Sequence, residues 1–227
     1  MTGAHSRVVK CVMPETLDAR ERRELCDLLT ELGPDAPTLC EGWTTRDLAA
    51  HLVVREYRPD AAAGIVVPAL ADRMEHLRLR EAERPWEDLL DTIAGGAPWY
   101  SPLRYADRVA NLAEYLVHHE DVRRGRPGWA PREFEVDDLE RVWSLATTVA
   151  KTFLRKVGAR VDLRTPAHVG SATIASVSTG AALAPLVSIT ADPVEFLLWT
   201  FGRDEVEIDI SGAQRGIDAL EAVPRGI

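Results

Sequence analysis

The stretch Asn111-Leu-Ala-Glu114-Tyr-Leu-Val-His118-His119-Glu120-Asp121-Val122 decides how this chain is read. On an α-helix, residues four apart share a face about 6 Å apart along the axis, so Glu114 and His118 project together. Asn111 and Asp121 fall on the same stripe, and Val109, Leu112, Leu116 and Val117 flank it with apolar surface. A carboxylate and an imidazole on a buried stripe need partners, because an unpaired buried charge costs several kcal/mol. A divalent cation is one such partner. The competing reading is a plain Glu–His ion pair, or an i,i+4 pair facing water. His119 points about 100° away from His118, so both cannot easily serve one ion.

A third ligand is available in Trp43-Thr44-Thr45-Arg46-Asp47-Leu-Ala-Ala-His51-Leu52. Thr44 and Asp47 make a capping box at a helix start. Leu48, His51, Leu52 and Arg55 follow at helical spacing, and the helix stops at about Tyr57, before Pro59. A lone histidine on an apolar face is more often a satisfied core residue than a ligand. Joined to Glu114 and His118, it completes three ligands from two helices, which leaves a coordination position open as catalytic sites do.

Outward from these motifs, residues 16–32 place Leu17, Leu25, Leu28, Leu29 and Leu32 on one helical stripe, closed by Gly33-Pro34. Residues 1–15 read as a loose tail, 61–70 as a short helix or two, and 71–84 as a solvated face dense in Arg and Glu. Pro85 opens a short amphipathic segment carrying Trp86, Leu89, Leu90 and Ile93 and ending at Gly95-Gly96. Residues 97–105 form an irregular loop whose aromatics line a pocket or cover the core. The central helix spans 107–124, and a last long helix spans 137–157 with Leu139, Val142, Trp143, Ala146 and Phe153 on its apolar face. Four principal helices thus precede residue 158, and four-helix packing is expected.

After Gly158 the pattern changes to strands at 161–165, 186–190 and 206–210, the last with strict alternation. Between the second and third, Asp192 is an N-cap, Pro193 stands at N1, Glu195 at N3 and Gly202 is the stop of a helix. A final helix covers 212–220. The chain therefore reads as α+β, with a helical bundle over 16–157 and a small α/β domain over 158–227.

Composition excludes several function classes. With 46% hydrophobic and 28% charged residues the chain is an ordinary globular one. No apolar run approaches the roughly 18 to 20 residues of a membrane helix, and no signal pattern opens it, so a cytoplasmic protein without membrane contact is expected. The net charge of −9 lacks the basic field that nucleic acid requires. Cys11, Cys26 and Cys40 are odd in number with no CxxC pair, which argues against a disulfide framework or a cysteine zinc site. Of 27 basic residues only three are lysine, a skew that often reflects a GC-rich genome.

With those residues in place, the chain resembles the mycothiol-dependent maleylpyruvate isomerase family of actinobacteria. The resemblance rests on the motifs 43–52 and 114–122, and on Asp192-Pro193-Val194-Glu195-Phe-Leu-Leu-Trp199-Thr-Phe-Gly202-Arg203. It implies a DinB-like four-helix bundle followed by a sterol-carrier-like C-terminal domain. It also implies that His51, Glu114 and His118 bind a divalent metal, usually zinc, with mycothiol as thiol cosubstrate. The likeness is to actinobacterial members other than the isomerase itself, so the substrate does not carry over.

The expected function is isomerisation or S-transfer on a small electrophilic substrate by a metal-activated thiol. Asn111 and Asp121 would orient a ligand from behind, and Arg203 would either steer an anionic substrate or make a plain structural turn. The rival expectation is a non-catalytic module that binds metal or sequesters a small molecule. A helical interaction protein without metal stands third.

Overall fold

The computed structural model describes residues 15–58, 71–101, 104, 108–166, 177–179 and 183–226. The expected tail up to residue 14 and the short helices at 61–70 lie outside them.

Helices α1 (Leu17–Leu32), α2 (Thr45–Tyr57), α3 (Ala71–Ala82), α4 (Trp86–Gly95), α5 (Arg108–Arg124) and α6 (Val136–Leu154) come first. The leucine stripe of α1 buries Leu25 and Leu29 against Leu48 and Leu52 of α2, Leu89 and Ile93 of α4, and Tyr115 and Val122 of α5. Four helices thus enclose the N-terminal core. The fourth is the short α4, where the sequence reading had placed the helix at 137–157.

The apolar face of α6 goes elsewhere. Val142, Trp143, Ala146 and Phe153 pack with Val161, Leu163, Val187, Ile189 and Phe196 of the C-terminal part. Ring centroids of Trp143 and Phe196 lie 5.5 Å apart, and those of Phe153 and Trp199 lie 5.7 Å apart. An apolar stripe shows that one face of a helix is covered, but not by what. The covering partner is α7 (Pro193–Thr200), all eight residues of which are buried. A helix buried on every side needs cover on more than the sheet face, and α6 supplies it.

The sheet has the order β2-β1-β3-β4, formed by β1 (Arg160–Arg164), β2 (Val177–Thr179), β3 (Leu186–Ala191) and β4 (Ile208–Gly212). β1 and β3 run parallel, with Val161 beside Val187 and Leu163 beside Ile189; the outer pairs are antiparallel. Buried residues alternate along β3, which leaves one face of the strand for the core. The short β2 is an addition to the expected pattern, and β4 begins two residues later than the alternation implied. At its end Gly212 has φ 144°, and a Cβ there would stand 2.4 Å from the Leu186 carbonyl oxygen, so only glycine fits. Helix α8 (Gln214–Glu221) closes the chain.

Two further expectations are corrected. Residues 71–82 are not merely a solvated face but helix α3, whose Leu77 and Met74 pack on Val54. Trp99 and Tyr100 do not cover the core, being 76% and 53% exposed, and Tyr105 lies outside the described residues. The architecture is α+β, a helical N-terminal part followed by a small α/β part, as the sequence implied. Among the described residues no helix is long and apolar enough to cross a membrane.

Helix α5 is common to both cores. Tyr115 and Val122 face the bundle while Leu112, Leu116 and Val117 face the cluster built on the sheet. Of its polar residues Asn111, His119, Glu120, Asp121 and Arg124 are buried and Glu114, His118 and Arg123 half-buried, and this sets the electrostatics of the site.

Candidate metal centre

Local structure aims His51. Thr44 precedes α2, and its backbone N–H donates to Asp47 Oδ2 at 2.9 Å, half of the capping box. Thr45 Oγ1 donates to the Gly33 carbonyl at 2.6 Å and anchors the turn from α1. His51 then lies two turns into α2, 8% exposed, with the Trp43 ring 5.1 Å away between centroids.

Across from it, α5 presents Glu114 and His118. Glu114 Oε1 lies 2.9 Å from His51 Nε2 and 3.3 Å from His118 Nε2. One ligand atom from each of the three residues falls within 4.8 Å of the others. Tetrahedral zinc with bonds of 2.0–2.1 Å separates neighbouring donors by about 3.3 Å. The two measured separations sit close to that value, and two imidazoles with a carboxylate are a donor set zinc accepts, so the residues fit a divalent ion.

His118 is oriented from behind. Its Nδ1 lies 2.9 Å from Asp121 Oδ2, and Arg203 holds Asp121 through Nε to Oδ1 at 2.7 Å and Nη2 to Oδ2 at 2.5 Å. A carboxylate on the far nitrogen of a ligating histidine fixes the ring and raises its basicity. His51 has no such support: its Nδ1 is buried without a hydrogen-bond partner among the described residues.

Proton affinities follow this asymmetry. Burial pushes His51 below its ordinary value, and its Glu114 contact does not reverse this. Burial would also lower His118, but the hydrogen bonds to Asp121, Cys40 and Glu114 outweigh it and hold His118 well above its ordinary value. Burial alone would raise Glu114; hydrogen bonds from His118 and His51 and the Arg55 charge keep it well below the usual carboxylate range. The Arg203 and His118 contacts likewise overcome burial at Asp121 and lower it to about 2. Two carboxylates flanking one imidazole create a field that favours positive charge, and a divalent ion at Nε2 satisfies it as a proton does.

Among the described residues two other groups have metal-ligating composition, Cys40–His118–Asp121 and Glu21–Glu24–His119. In each an arginine already neutralises the carboxylates: Arg203 grips both oxygens of Asp121, and Arg132 lies 2.7 Å from the same Glu21 oxygen that His119 meets at 2.8 Å. In the His51 group the nearby cation, Arg55, is paired with Glu114 Oε2 at 3.3 Å and leaves Oε1 to the histidines.

The three residues lie in the wall of a cleft of about 530 Å³. Leu39, Trp43, Val117 and Phe201 give it apolar sides, while Cys40 and Arg203 stand at its polar end. The loop bearing Leu39 and Cys40 is tied to α5 by the Leu39 N–H, which donates to the Asp121 carbonyl at 3.0 Å. Gly125 permits that approach, since a Cβ there would stand 2.3 Å from the Pro37 carbonyl oxygen.

Of the residues singled out from sequence, His51, Glu114 and His118 converge, and Asp121 supports His118. Asn111 reaches the group at one remove, its Oδ1 accepting from Arg55 Nη1 at 3.1 Å. Arg203 is engaged with Asp121 and the Phe201 carbonyl in the turn that ends α7, and it lines the cleft. His119 turns away to Glu21. Sequence reading names Arg55 on the His51 face without giving it a role, and favours a plain thiol at Cys40 over a redox or ligand role. The signal for Arg55 is its place four residues beyond His51 on one helical face; for Cys40 the one hint is its nearness in sequence to the His51 helix, because its loop reaches α5 only through tertiary contacts.

Residues 18–98 match the family model described as the mycothiol maleylpyruvate isomerase N-terminal domain. That span includes His51 and ends before Glu114 and His118. No curated protein and no solved structure matches the chain.

Proposed function

We propose, from the membership of residues 18–98 in the mycothiol maleylpyruvate isomerase N-terminal domain family, that this protein is a divalent-metal enzyme working with mycothiol on a small electrophile. The observation that carries this reading is the convergence of His51, Glu114 and His118 in the wall of the cleft. When bound there, zinc or a similar ion supplies Lewis acidity, which favours thiolate over thiol near neutral pH.

The chain's own residues do the rest. His51 and His118 offer Nε2, and Glu114 offers Oε1. Asp121 keeps His118 Nε2 turned toward them, and Arg203 keeps Asp121 in place. Leu39, Trp43, Val117 and Phe201 restrict water around a nucleophile, which strengthens its electrostatic contacts. A thiolate in this cleft adds to an activated double bond and leaves again, giving isomerisation, or displaces a leaving group, giving S-transfer. Three ligands with an open position suit this chemistry better than a closed structural site.

The test combines elemental analysis with calorimetry. Protein purified without chelator should carry close to one divalent ion per chain. Mycothiol should bind it with proton release, read from titrations in buffers of different ionisation enthalpy. Protein that takes up no metal on reconstitution removes the centre. Thiol binding that ignores the metal favours the sequestering module instead.

A further inference from the structure

The two oxygens of Glu114 have different neighbours. Oε1 faces both histidine Nε2 atoms, at 2.9 and 3.3 Å, whereas Oε2 faces Arg55 Nε at 3.3 Å. Arg55 follows His51 by four residues on α2, so both reach α5 from one face. Its side chain is 6% exposed, and its Nη1 donates to Asn111 Oδ1 at 3.1 Å. Asn111 precedes Glu114 by three residues on α5, so the guanidinium is held at two points one turn apart.

We infer that Arg55 is a positioning residue that restricts Glu114 to ligation through Oε1 alone, keeping a coordination position free for a ligand from the cleft. This rests on the metal reading above. A carboxylate binds a cation through one oxygen or through both, and with both it fills two positions. A buried cation at Oε2 competes for that second oxygen. It also offsets the carboxylate charge, so the bound ion keeps more of its own. The planar fork of arginine reaches Glu114 and Asn111 together, which the point charge of lysine does not.

Cobalt(II) is the probe, because its visible absorption distinguishes four-coordinate from five-coordinate ions. Cobalt-loaded native protein should give the intense bands of a four-coordinate site. Arg55→Met should shift to the weaker bands of a five-coordinate one as Oε2 turns inward, and Arg55→Lys should fall between. N-acetylcysteine, followed by its sulfur-to-cobalt charge-transfer band, should bind Arg55→Met about 10-fold or more weakly, the usual scale for loss of an outer partner. Asn111→Ala, a milder change, should move both readouts the same way and covers the case in which Arg55→Met fails to fold. Equal spectra and equal thiol affinity in native and variant proteins overturn the role of Arg55 while leaving the metal centre standing. Native protein that takes up no cobalt overturns the centre and this role together.

Discussion

Arg124 and Glu195 form a doubly hydrogen-bonded ion pair between the last turn of α5 and the first turn of α7, with Nη1 to Oε2 at 2.8 Å and Nη2 to Oε1 at 2.5 Å. Their side chains are 0% and 2% exposed. Arg124 also donates through Nε to Glu120 at 2.7 Å and through Nη1 to the Glu205 carbonyl at 2.7 Å, and its guanidinium lies 4.2 Å from the Trp129 ring centroid. One residue thus ties the helix of the candidate site to the C-terminal part.

Removing one member leaves a buried charge unbalanced, so Arg124→Met should lower unfolding free energy by about 3–5 kcal/mol. Arg124→Met combined with Glu195→Leu should cost less than the sum of the single changes, because the orphaned charge is gone. Urea unfolding of the four proteins measures this. Strictly additive losses would show that the pair is not coupled.

His118→Ala should lose bound metal while His119→Ala keeps it, since His119 is paired with Glu21 on the far side of α5. The latter should still cost about 1–3 kcal/mol of stability, as Glu21 loses a buried partner. Elemental analysis beside thermal melts separates the two effects. Metal lost from His119→Ala but retained by His118→Ala would place the centre on the other face.

Arg203→Met should weaken metal binding by about 10–100-fold, because Asp121 loses its clamp and His118 its fixed orientation. Competition with a chromophoric chelator gives the number. Unchanged affinity would assign Arg203 to the cleft wall alone.

Acid should destabilise the protein through Glu21 and Glu120. Burial alone would raise both, but His119 and Arg132 at Glu21, and Arg132, Arg124 and Arg123 at Glu120, hold them below the ordinary carboxylate range. A carboxyl with a depressed folded value stabilises the fold above its unfolded value, and that contribution is lost as pH falls through the folded one. The melting temperature should therefore fall as pH drops below about 4.5, since the unfolded chain there binds more protons. Arg132→Met should melt lower at neutral pH and show a shallower acid limb. A limb as steep as in native protein would mean that other carboxylates govern it.

Much of the fold was legible because it depends on short-range grammar. The Thr44–Asp47 box starts α2, the i,i+4 spacing puts Glu114 and His118 on one face, and Asp192 caps α7 by accepting from the Val194 N–H at 3.0 Å. The short β2 escaped, because three residues carry too little pattern to recognise. Glu195 at N3 looked like part of a helix start, yet its carboxylate serves Arg124 and the Glu207 N–H.

By itself the sequence determined which residues share a helical face, where α1, α2 and α7 begin and end, and that the chain passes from helical to strand periodicity after Gly158. Those follow from backbone geometry and capping, which act over a few residues. Only the tertiary structure decided that α4 completes the bundle, that α6 covers α7, that Cys40 stands in the cleft, and that Arg203 reaches Asp121 from 82 residues away. An apolar stripe or a charged side chain states that it needs a partner. Which one it finds depends on packing the whole chain at once, and no local pattern records that choice.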